Sequence, residues 1–203
     1  ADLQVLPLQH RDFPWWEAAL KRLLDVVISA LLLVLSLPLW LVATIIIRRE
    51  TGASAIFRQT RVGLHGKPFV MLKFRTMKPS ADPYAPAPTS EDDERVTRFG
   101  RWLRRYSLDE LPQLINVLRG EMSLVGPRPE MPFLVEQYRP WQRRRLEVRP
   151  GLTGLWQILG RKDLPLTENI EYDFYYINHR SLLLDLAILL RTIPVVIAGR
   201  GAY

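Results

Sequence analysis

The segment VVISALLLVLSLPLWLVATIII, residues 26–47, holds 22 consecutive residues without a charged side chain. As an α-helix it would be about 33 Å long, at a rise of about 1.5 Å per residue, which is close to the thickness of the hydrocarbon layer of a bilayer. A cleaved signal peptide is a poor explanation, because the stretch is internal and longer than the apolar part of such a peptide. The sequence therefore predicts a helix embedded in a membrane.

Both ends of this apolar segment are basic. Two cationic residues precede it closely and two follow it directly. Positively charged flanks of a membrane helix prefer the cytoplasmic side. We therefore expect both ends of the segment on that side of the membrane. The four cationic residues are Lys21, Arg22, Arg48 and Arg49.

A proline, Pro38, lies near the middle of the segment. Its ring removes a backbone donor and collides with the carbonyl of Val34, so the helix should bend there, and the hydroxyl of Ser36 can hydrogen bond to a freed carbonyl. A bent helix with both ends on one side would enter the cytoplasmic leaflet and return, and we interpret residues 21–49 as such a re-entrant anchor. The alternative is an ordinary tilted transmembrane helix with a proline kink.

Residues 1–20 are interpreted as an N-terminal tail. The indole rings of Trp15 and Trp16 in this tail suit the headgroup level of a membrane. The chain begins with Ala1 rather than methionine, as a chain cut at a truncation boundary would. Further N-terminal domains are expected under that interpretation.

The composition limits the partners and the chemistry. Lys and Arg total 28 against 21 Asp and Glu, and the net charge of +7 favours an anionic partner such as phospholipid, a nucleotide or nucleic acid. Five arginines surround Trp141 in residues 139–149, which is typical of a segment on an anionic membrane surface. We expect no nucleic-acid partner, because the chain carries a lipid anchor and matches no nucleic-acid module. Cysteine is absent from the sequence, which excludes disulfides and thiolate zinc sites.

Residues 50–203 are predicted to form one compact α+β domain that is mostly helical. Short strands at residues 55–57 and 69–74, around a turn at residues 63–67, indicate a small β-hairpin. Residues 79–94 contain four prolines and an acidic run without apolar periodicity. They predict a mobile loop, and a lid over a substrate is the functional alternative.

Two further segments are predicted as helices near the membrane surface. Residues 95–105 place four arginines at helical spacing, with Phe99 and Trp102 on a different face. This basic face would either carry positive charge towards residue 109 or rest on lipid headgroups. Residues 181–198 are apolar but interrupted by charged residues and a proline, which suits an amphipathic interfacial helix better than a membrane span.

Two adjacent carboxylates, Asp109 and Glu110, stand in the segment SLDELPQL, residues 107–114, and Arg128 follows between two prolines in GPRP. A carboxylate pair can supply a nucleophile together with an acid, a base or a metal ligand. An arginine held between prolines can bind a phosphate in a fixed geometry. The combination indicates phosphoryl transfer.

A structural explanation of the same pair competes with catalysis. Ser107 followed by Glu110 is the pattern of a capping box, in which the acids would only complement a helix dipole. Pro112 argues against a plain cap, because it removes a backbone hydrogen bond and should distort the first turns of such a helix. From the residues alone, capping and catalysis both remain open.

Several segments resemble the bacterial sugar transferase family, the monotopic phosphoglycosyl transferases that load a sugar phosphate onto polyprenol phosphate. The resemblance covers roughly residues 20–195. It implies a catalytic domain that lies on the membrane through the re-entrant anchor and interfacial helices. It rests on the proline-broken anchor, the block at residues 107–129, and the motifs KFRTM at residues 73–77, RPGLTG at residues 149–154 and DFYY at residues 173–176.

The resemblance implies a double displacement. Asp109 would attack the sugar-bearing phosphate of a UDP-sugar, releasing UMP and leaving a phosphosugar on the aspartate. Undecaprenyl phosphate would then take the sugar phosphate, giving undecaprenyl diphosphate sugar as the first membrane step of glycan synthesis. Glu110 would hold Mg²⁺ together with Asp109 or deprotonate the lipid phosphate. The implied location is the cytoplasmic face of the bacterial inner membrane, with monotopic topology.

The resemblance also implies substrate-binding residues. Lys73, Arg75 and Arg128 would bind phosphate, and Gln157 and Arg161 are weaker candidates for contacts with the donor. Asp173 and Tyr176 also match a pair of residues that recurs in the family. A structural hydrogen bond beneath the site explains this pair as well as a functional role does.

Two other functions stay open at this point. The first is a noncatalytic peripheral membrane protein whose basic faces dock on anionic lipid, with the carboxylates serving as helix caps. The second is a phosphatase that forms a phospho-aspartate and releases it to water. The sequence discloses neither the sugar nor the oligomeric state.

Overall fold

The computed structural model describes residues 14–86, 88, 90, 92–159 and 170–199. These residues form a mostly helical α+β fold, as predicted, with the predicted hairpin and a second small sheet that was not predicted. The α-helices are α1 Trp15–Thr51, α2 Arg98–Arg105, α3 Gln113–Arg119, α4 Pro132–Glu136, α5 Leu155–Leu159, α6 Glu171–His179 and α7 Leu182–Ile197. The strands are β1 Ile56–Val62, β2 Pro68–Phe74, β3 Ser123–Val125 and β4 Gly151–Thr153, and 3₁₀ helices lie at Leu64–Gly66, Leu108–Glu110 and Pro140–Glu147.

The predicted membrane segment lies in α1, one continuous helix of 37 residues. Within the described chain it is the one helix long and apolar enough to cross a membrane. It ends at Gly52, whose left-handed φ of 67° lets its N–H donate to the carbonyl of Arg48. Pro38 lies inside the helix, and the Ser36 hydroxyl donates to the carbonyl of Leu33 at 3.0 Å.

Both halves of α1 contact the same domain. In the first half, the guanidinium of Arg22 donates to the carbonyls of Val117 and Leu118, at the end of α3, at 2.6 and 2.8 Å. In the second half, Ala43 and Ile47 are fully buried. They pack in a hydrophobic cluster with three residues of the domain, Ala55, Phe74 and Leu103.

The middle of α1 presents a broad apolar surface away from the domain. No described part of the chain packs over this surface, so its apolar side chains require an apolar environment outside the chain. The exposed residues include Leu31, Leu32, Val34, Leu35, Leu37, Leu41 and Val42.

The predicted hairpin is confirmed. Strands β1 and β2 pair antiparallel from Ile56 opposite Phe74 to Val62 opposite Pro68. Strand β1 is longer than predicted, because it continues to Val62 rather than ending at residue 57. The buried side of the hairpin packs into the core, and Lys73 is carried by β2 next to the buried Phe74.

A parallel pair of short strands holds the GPRP segment. Strands β3 and β4 pair through Ser123 with Gly151 and through Val125 with Thr153. Gly126 and Gly151 approach so closely that a Cβ on either would collide with the backbone of the other segment. Glycine is therefore required at these positions, and the backbone that leads into Arg128 is fixed by this pair.

The predicted basic helix is confirmed as α2, although it begins at Arg98 rather than at residue 95. The hydroxyl of Thr97 accepts a hydrogen bond from the N–H of Gly100 and so caps its start. The rings of Phe99 and Trp102 stack with centroids 5.5 Å apart. The preceding loop is tied to the domain by a bond from the Gln59 amide to the carbonyl of Pro83 at 2.6 Å.

Helix α7 corresponds to the predicted interfacial helix. The hydroxyl of Ser181 caps its N-terminus by accepting from the N–H of Leu184. One stripe of apolar residues on α7 is exposed, which is the pattern of a helix lying in an apolar interface. The stripe consists of Leu183, Leu186, Leu190, Ile193 and Ile197.

The arginine-rich segment at residues 139–149 is only partly a surface segment. Trp141 and Arg143 are exposed, as expected for residues facing a membrane. Arg145, by contrast, is 5% exposed and forms an ion pair with the buried Asp173 at 2.7 Å. The interpretation of residues 139–149 as a segment on the membrane surface is therefore wrong at Arg145, because this side chain pairs with a carboxylate in the interior.

Candidate active site

Asp109 and Glu110 lie in a single 3₁₀ turn, Leu108–Glu110, that precedes α3. Ser107 adopts a left-handed conformation with φ of 53°, and its side chain makes no capping hydrogen bond. The capping-box interpretation is therefore wrong. Pro112 is the N-cap of α3, so the proline separates the carboxylate turn from the helix. A non-glycine residue in this conformation stores backbone strain, which is concentrated at functional sites in proteins.

Two cations converge on Glu110. The ammonium of Lys73 lies 2.7 Å from its Oε1 atom, and the guanidinium of Arg128 lies 3.7 Å from the same oxygen. Asn116, which is fully buried, holds the two elements together: its amide donates to the carbonyl of Val70, and its oxygen accepts from the N–H of Leu72. The strand that carries Lys73 is thereby locked to the helix that follows Glu110.

Asp109 is in a different environment from its neighbour. It is 8% exposed, and burial raises its pKa from 3.8 to about 6, although Lys73, Arg104 and Arg128 act in the opposite direction. The nearby charge of Glu110 raises the pKa further. Asp109 is therefore ionised at neutral pH yet more basic than an ordinary aspartate, which favours a nucleophile.

Arg128 is held through its backbone. The buried guanidinium of Arg145 donates to the Arg128 carbonyl at 3.1 Å and to the carboxylate of Asp173 at 2.7 Å. It also donates to the hydroxyl of Tyr138. Asp173 therefore lies under the site as a structural partner, one of the two explanations offered by the sequence. The side chain of Arg128 keeps 34% exposure and stays accessible to a ligand.

Tyr176 belongs to a second supporting network. Its hydroxyl lies 3.1 Å from the carbonyl of Val125 and 2.8 Å from the carboxylate of Asp185. The ammonium of Lys21 on α1 lies 2.5 Å from Asp185 and 3.3 Å from the same carbonyl. The network ties the membrane helix to the strand that leads into GPRP.

A cleft opens beside the carboxylate turn. Its lining combines three cationic residues with Glu110 and a few apolar groups. Asp109 is buried and is not part of this lining. The lining residues are Arg61, Met71, Lys73, Glu110, Gln113, Arg128, Pro129, Gly151 and Leu152.

Arg61 is not among the residues predicted from the sequence. Arg61 is 7% exposed and lines the cleft together with Lys73 and Arg128. The available signal was the pair of polar residues, Gln59 and Arg61, at alternate positions of β1. Both side chains are buried, at positions where a strand with a purely structural role would carry apolar side chains.

The other predicted ligand-binding residues are not all brought to the cleft. The guanidinium of Arg75 donates to the carbonyl of Ser54 at 2.8 Å and lies 5.7 Å from the ring centroid of Phe57. Gln157 lies in α5 with its side chain packed near Gly154. Arg161 lies outside the described residues.

The part of the chain that the structure describes contains no group of three or more His, Asp or Glu side chains able to hold a metal. Asp109 and Glu110, the metal ligands predicted from the sequence, therefore stay a prediction. This donor set fits Mg²⁺, which keeps several waters and is commonly held by one or two carboxylates together with substrate phosphates. It would not fit a metal that requires an all-protein cage.

Comparison with known proteins identifies the family. A profile described as "Bacterial sugar transferase" matches residues 16–199. The chain is 48% identical to a "UDP-glucose:undecaprenyl-phosphate glucose-1-phosphate transferase" of Caulobacter vibrioides over 90% of this chain and 72% of the relative. It is 42% identical to an "Exopolysaccharide production protein ExoY" of Sinorhizobium fredii, over 90% of this chain and 88% of the relative.

A third relative is longer. The "Undecaprenyl-phosphate galactose phosphotransferase" of Salmonella typhimurium is 41% identical over 100% of this chain, which spans 45% of that protein. The matched region includes α1, the carboxylate turn, GPRP and α7. The chain therefore belongs to the bacterial sugar transferase family, and it is a phosphoglycosyl transferase.

Proposed function

We propose that the chain transfers a sugar phosphate from a UDP-sugar to undecaprenyl phosphate, with Asp109 as a covalent nucleophile. The observation that carries the proposal is the division of roles between two adjacent carboxylates. Asp109 is buried, with its pKa raised to about 6, whereas Glu110 is paired with Lys73 at 2.7 Å. A raised pKa makes a carboxylate more basic, so we assign the role of nucleophile to the buried Asp109.

The first step is an attack of the Asp109 carboxylate on the sugar-bearing phosphorus of the donor. The bond from this phosphorus to the bridging oxygen breaks, UMP leaves, and an acyl phosphate to the sugar remains on Asp109. The cations Lys73 and Arg128 line the cleft beside the carboxylate turn, where they would stabilise negative charge on the donor diphosphate.

Asp109 must turn towards the cleft for this attack, because Glu110 rather than Asp109 lines it. The residue before the turn, Ser107, has a φ of 53°. A strained residue at this position provides a hinge whose relaxation would rotate the short turn. We place the movement there rather than in α3, which Asn116 fixes to β2.

In the second step, an oxygen of undecaprenyl phosphate attacks the acyl phosphate. The bond to the Asp109 oxygen breaks, which regenerates the carboxylate and yields undecaprenyl diphosphate sugar. Glu110, which lines the same cleft, would accept the proton of a protonated lipid phosphate. The energy of the donor diphosphate is retained in the product diphosphate.

Magnesium would be held by Asp109 and Glu110, together with phosphate oxygens of the substrate. When bound, it would offset the repulsion between the carboxylates and the anionic substrate and polarise the phosphate under attack. The net positive charge that Lys73 and Arg128 bring to the cleft serves the same purpose from the protein side.

The proposed topology is re-entrant, on the cytoplasmic face of the inner membrane. The contacts of Arg22 with α3 and the burial of Ile47 place both ends of α1 against one domain. A helix crossing the bilayer would have its ends on opposite faces, about 30 Å apart, and both could not contact a domain on one face. The exposed stripe of α7 would lie in the same leaflet, close to an acceptor whose phosphate stands at the headgroup level.

The proposed substrates take their support from the relatives. The names of two relatives specify undecaprenyl phosphate as acceptor, and one of these names specifies UDP-glucose as donor. Two relatives are named as exopolysaccharide production proteins. We therefore place the reaction at the first membrane step of a surface glycan, and the sugar is to be found by experiment.

The test is release of UMP from a panel of UDP-sugars by purified protein with Mg²⁺, with and without undecaprenyl phosphate. The proposal expects multiple-turnover release that requires the acceptor and is lost in Asp109→Asn. Release of equal extent without any acceptor would support the phosphatase instead. No release from any donor, by protein that still binds anionic vesicles, would favour the noncatalytic membrane protein.

A further inference from the structure

We propose that Arg61 is a phosphate-binding residue of this active site and that Gln59 holds its guanidinium in position to bind a substrate oxyanion. The inference rests on the proposed function, because it assigns a phosphate of the same substrates to the cleft. Arg61 lines the cleft together with Lys73, Glu110 and Arg128.

The hydrogen bonds of Arg61 orient its guanidinium without neutralising it. The Nε and Nη2 atoms donate to the amide oxygen of Gln59 at 3.0 and 2.7 Å, and Nη1 donates to the carbonyl of Pro129 at 3.1 Å. Both acceptors are uncharged. The nearest described carboxylate, that of Glu130, lies at 4.0 Å. A guanidinium has five N–H groups, so two remain for a ligand after these three bonds.

The lining of the cleft carries three cationic side chains, Arg61, Lys73 and Arg128, and one carboxylate, Glu110, which favours an anionic ligand. Burial and then the positive charge of Arg128 lower the pKa of Arg61 to about 10, so it stays charged at neutral pH. Lys73 and Arg128 already share one carboxylate oxygen of Glu110. Glu130, 4.0 Å from Arg61, offsets part of this positive charge but is not part of the lining, and a phosphate in the cleft would accept two parallel bonds from the guanidinium.

Gln59 also connects this site to the neighbouring loop. Its amide nitrogen donates to the carbonyl of Pro83 at 2.6 Å, so the amide oxygen is fixed towards Arg61. The orientation is therefore set before the ligand arrives, which reduces the entropy lost when the guanidinium binds phosphate. Gln59 is a positioning residue and Arg61 contacts the substrate.

The test compares Arg61→Lys and Gln59→Leu with Arg58→Lys, a matched control on the exposed position of the same strand. Lysine at position 61 keeps the positive charge but cannot donate two parallel hydrogen bonds as a guanidinium does. Gln59→Leu keeps Arg61 but removes the amide oxygen that orients its guanidinium. Initial rates are measured while the UDP-sugar is varied at saturating undecaprenyl phosphate, and then with the roles exchanged. Binding of UDP and of inorganic pyrophosphate is measured separately by the shift of the melting temperature.

Both variants should raise one KM by about tenfold or more, and the substrate whose KM rises identifies the phosphate that Arg61 binds. Weaker binding of UDP and pyrophosphate would assign it to the donor. The inference is overturned if both KM values and both ligand affinities match those of Arg58→Lys, even when kcat or stability falls. If Arg61→Lys does not fold, Gln59→Leu decides by the same criteria. An inactive wild-type protein would instead contradict the proposed function.

Discussion

Replacing Asp109 by asparagine should stabilise the folded chain at neutral pH, although it removes the proposed nucleophile. The carboxyl is 8% exposed, and burial raises its pKa despite the opposing charges nearby. An acid with a higher pKa in the folded chain than in the unfolded chain binds its proton more tightly when folded. Its ionisation therefore costs free energy of folding. Asparagine has a similar shape and carries no charge.

The magnitude follows from the pKa. Each pKa unit is worth about 1.36 kcal/mol, so a rise from 3.8 to about 6 puts the cost of ionising Asp109 at about 3 kcal/mol. For a chain of this size, that corresponds to a melting temperature about 6–12 °C higher in Asp109→Asn. The gain should be near zero below pH 3.8, grow as the pH rises, and be complete above about pH 6.

The assay is thermal unfolding of detergent-solubilised protein across this pH range. The control is Asp92→Asn, which removes a charge from an exposed position and should change the melting temperature little at any pH. The reasoning is refuted if Asp109→Asn is no more stable than wild type at neutral pH. It is also refuted if the gain is the same at about pH 4 as at about pH 7, because a gain from removing the buried charge must follow its ionisation.

Three further outcomes are expected. The kcat/KM for the donor should fall about tenfold per pH unit below about pH 6, because only ionised Asp109 attacks, and a flat profile down to about pH 5 would contradict this. In Lys73→Met this acidic limb should move to higher pH, because Lys73 lowers the pKa of Asp109; an unmoved limb would be evidence against that coupling. Arg145→Met should cost about 3–5 kcal/mol in denaturant unfolding, because it leaves Asp173 buried without its partner, and a loss below about 1 kcal/mol would show that the pair is not essential.

Features with local causes could be predicted from the sequence. The apolar segment of α1 is visible in residues 26–47, and the hairpin follows from a turn between two β-rich runs. The effect of Pro112 is local as well, since a proline at the start of a helix costs no hydrogen bond within that helix. These parts depend on neighbouring residues alone.

Features that depend on residues far apart in the sequence could not be predicted from it. Ser107 and Glu110 fit a capping box, but the tertiary structure turns Ser107 into the left-handed region and gives Glu110 to Lys73, which is 37 positions away. Arg145 belongs to a basic cluster that looks like a surface, and its partner Asp173 is 28 positions away. One sequence does not disclose such pairs.

The same limit applies to Arg61 and Arg75. Arg75 is close to Lys73 in the sequence, yet its guanidinium binds the carbonyl of Ser54. Arg61 is far from Glu110 in the sequence, and the hairpin brings it to the cleft that Glu110 lines. Distance along the chain was therefore a poor guide to which of the two arginines lines the cleft. The direction and register of the strands decide which side chains meet.

The most direct test of the central claim is the mass of the protein after incubation with its UDP-sugar and Mg²⁺ without acceptor, followed by peptide mapping. A covalent intermediate predicts the added mass of one sugar phosphate on the peptide that contains Asp109. This adduct should disappear when undecaprenyl phosphate is supplied and should not form in Asp109→Asn. An adduct on Glu110, or no adduct in protein that turns over once acceptor is present, would contradict the account.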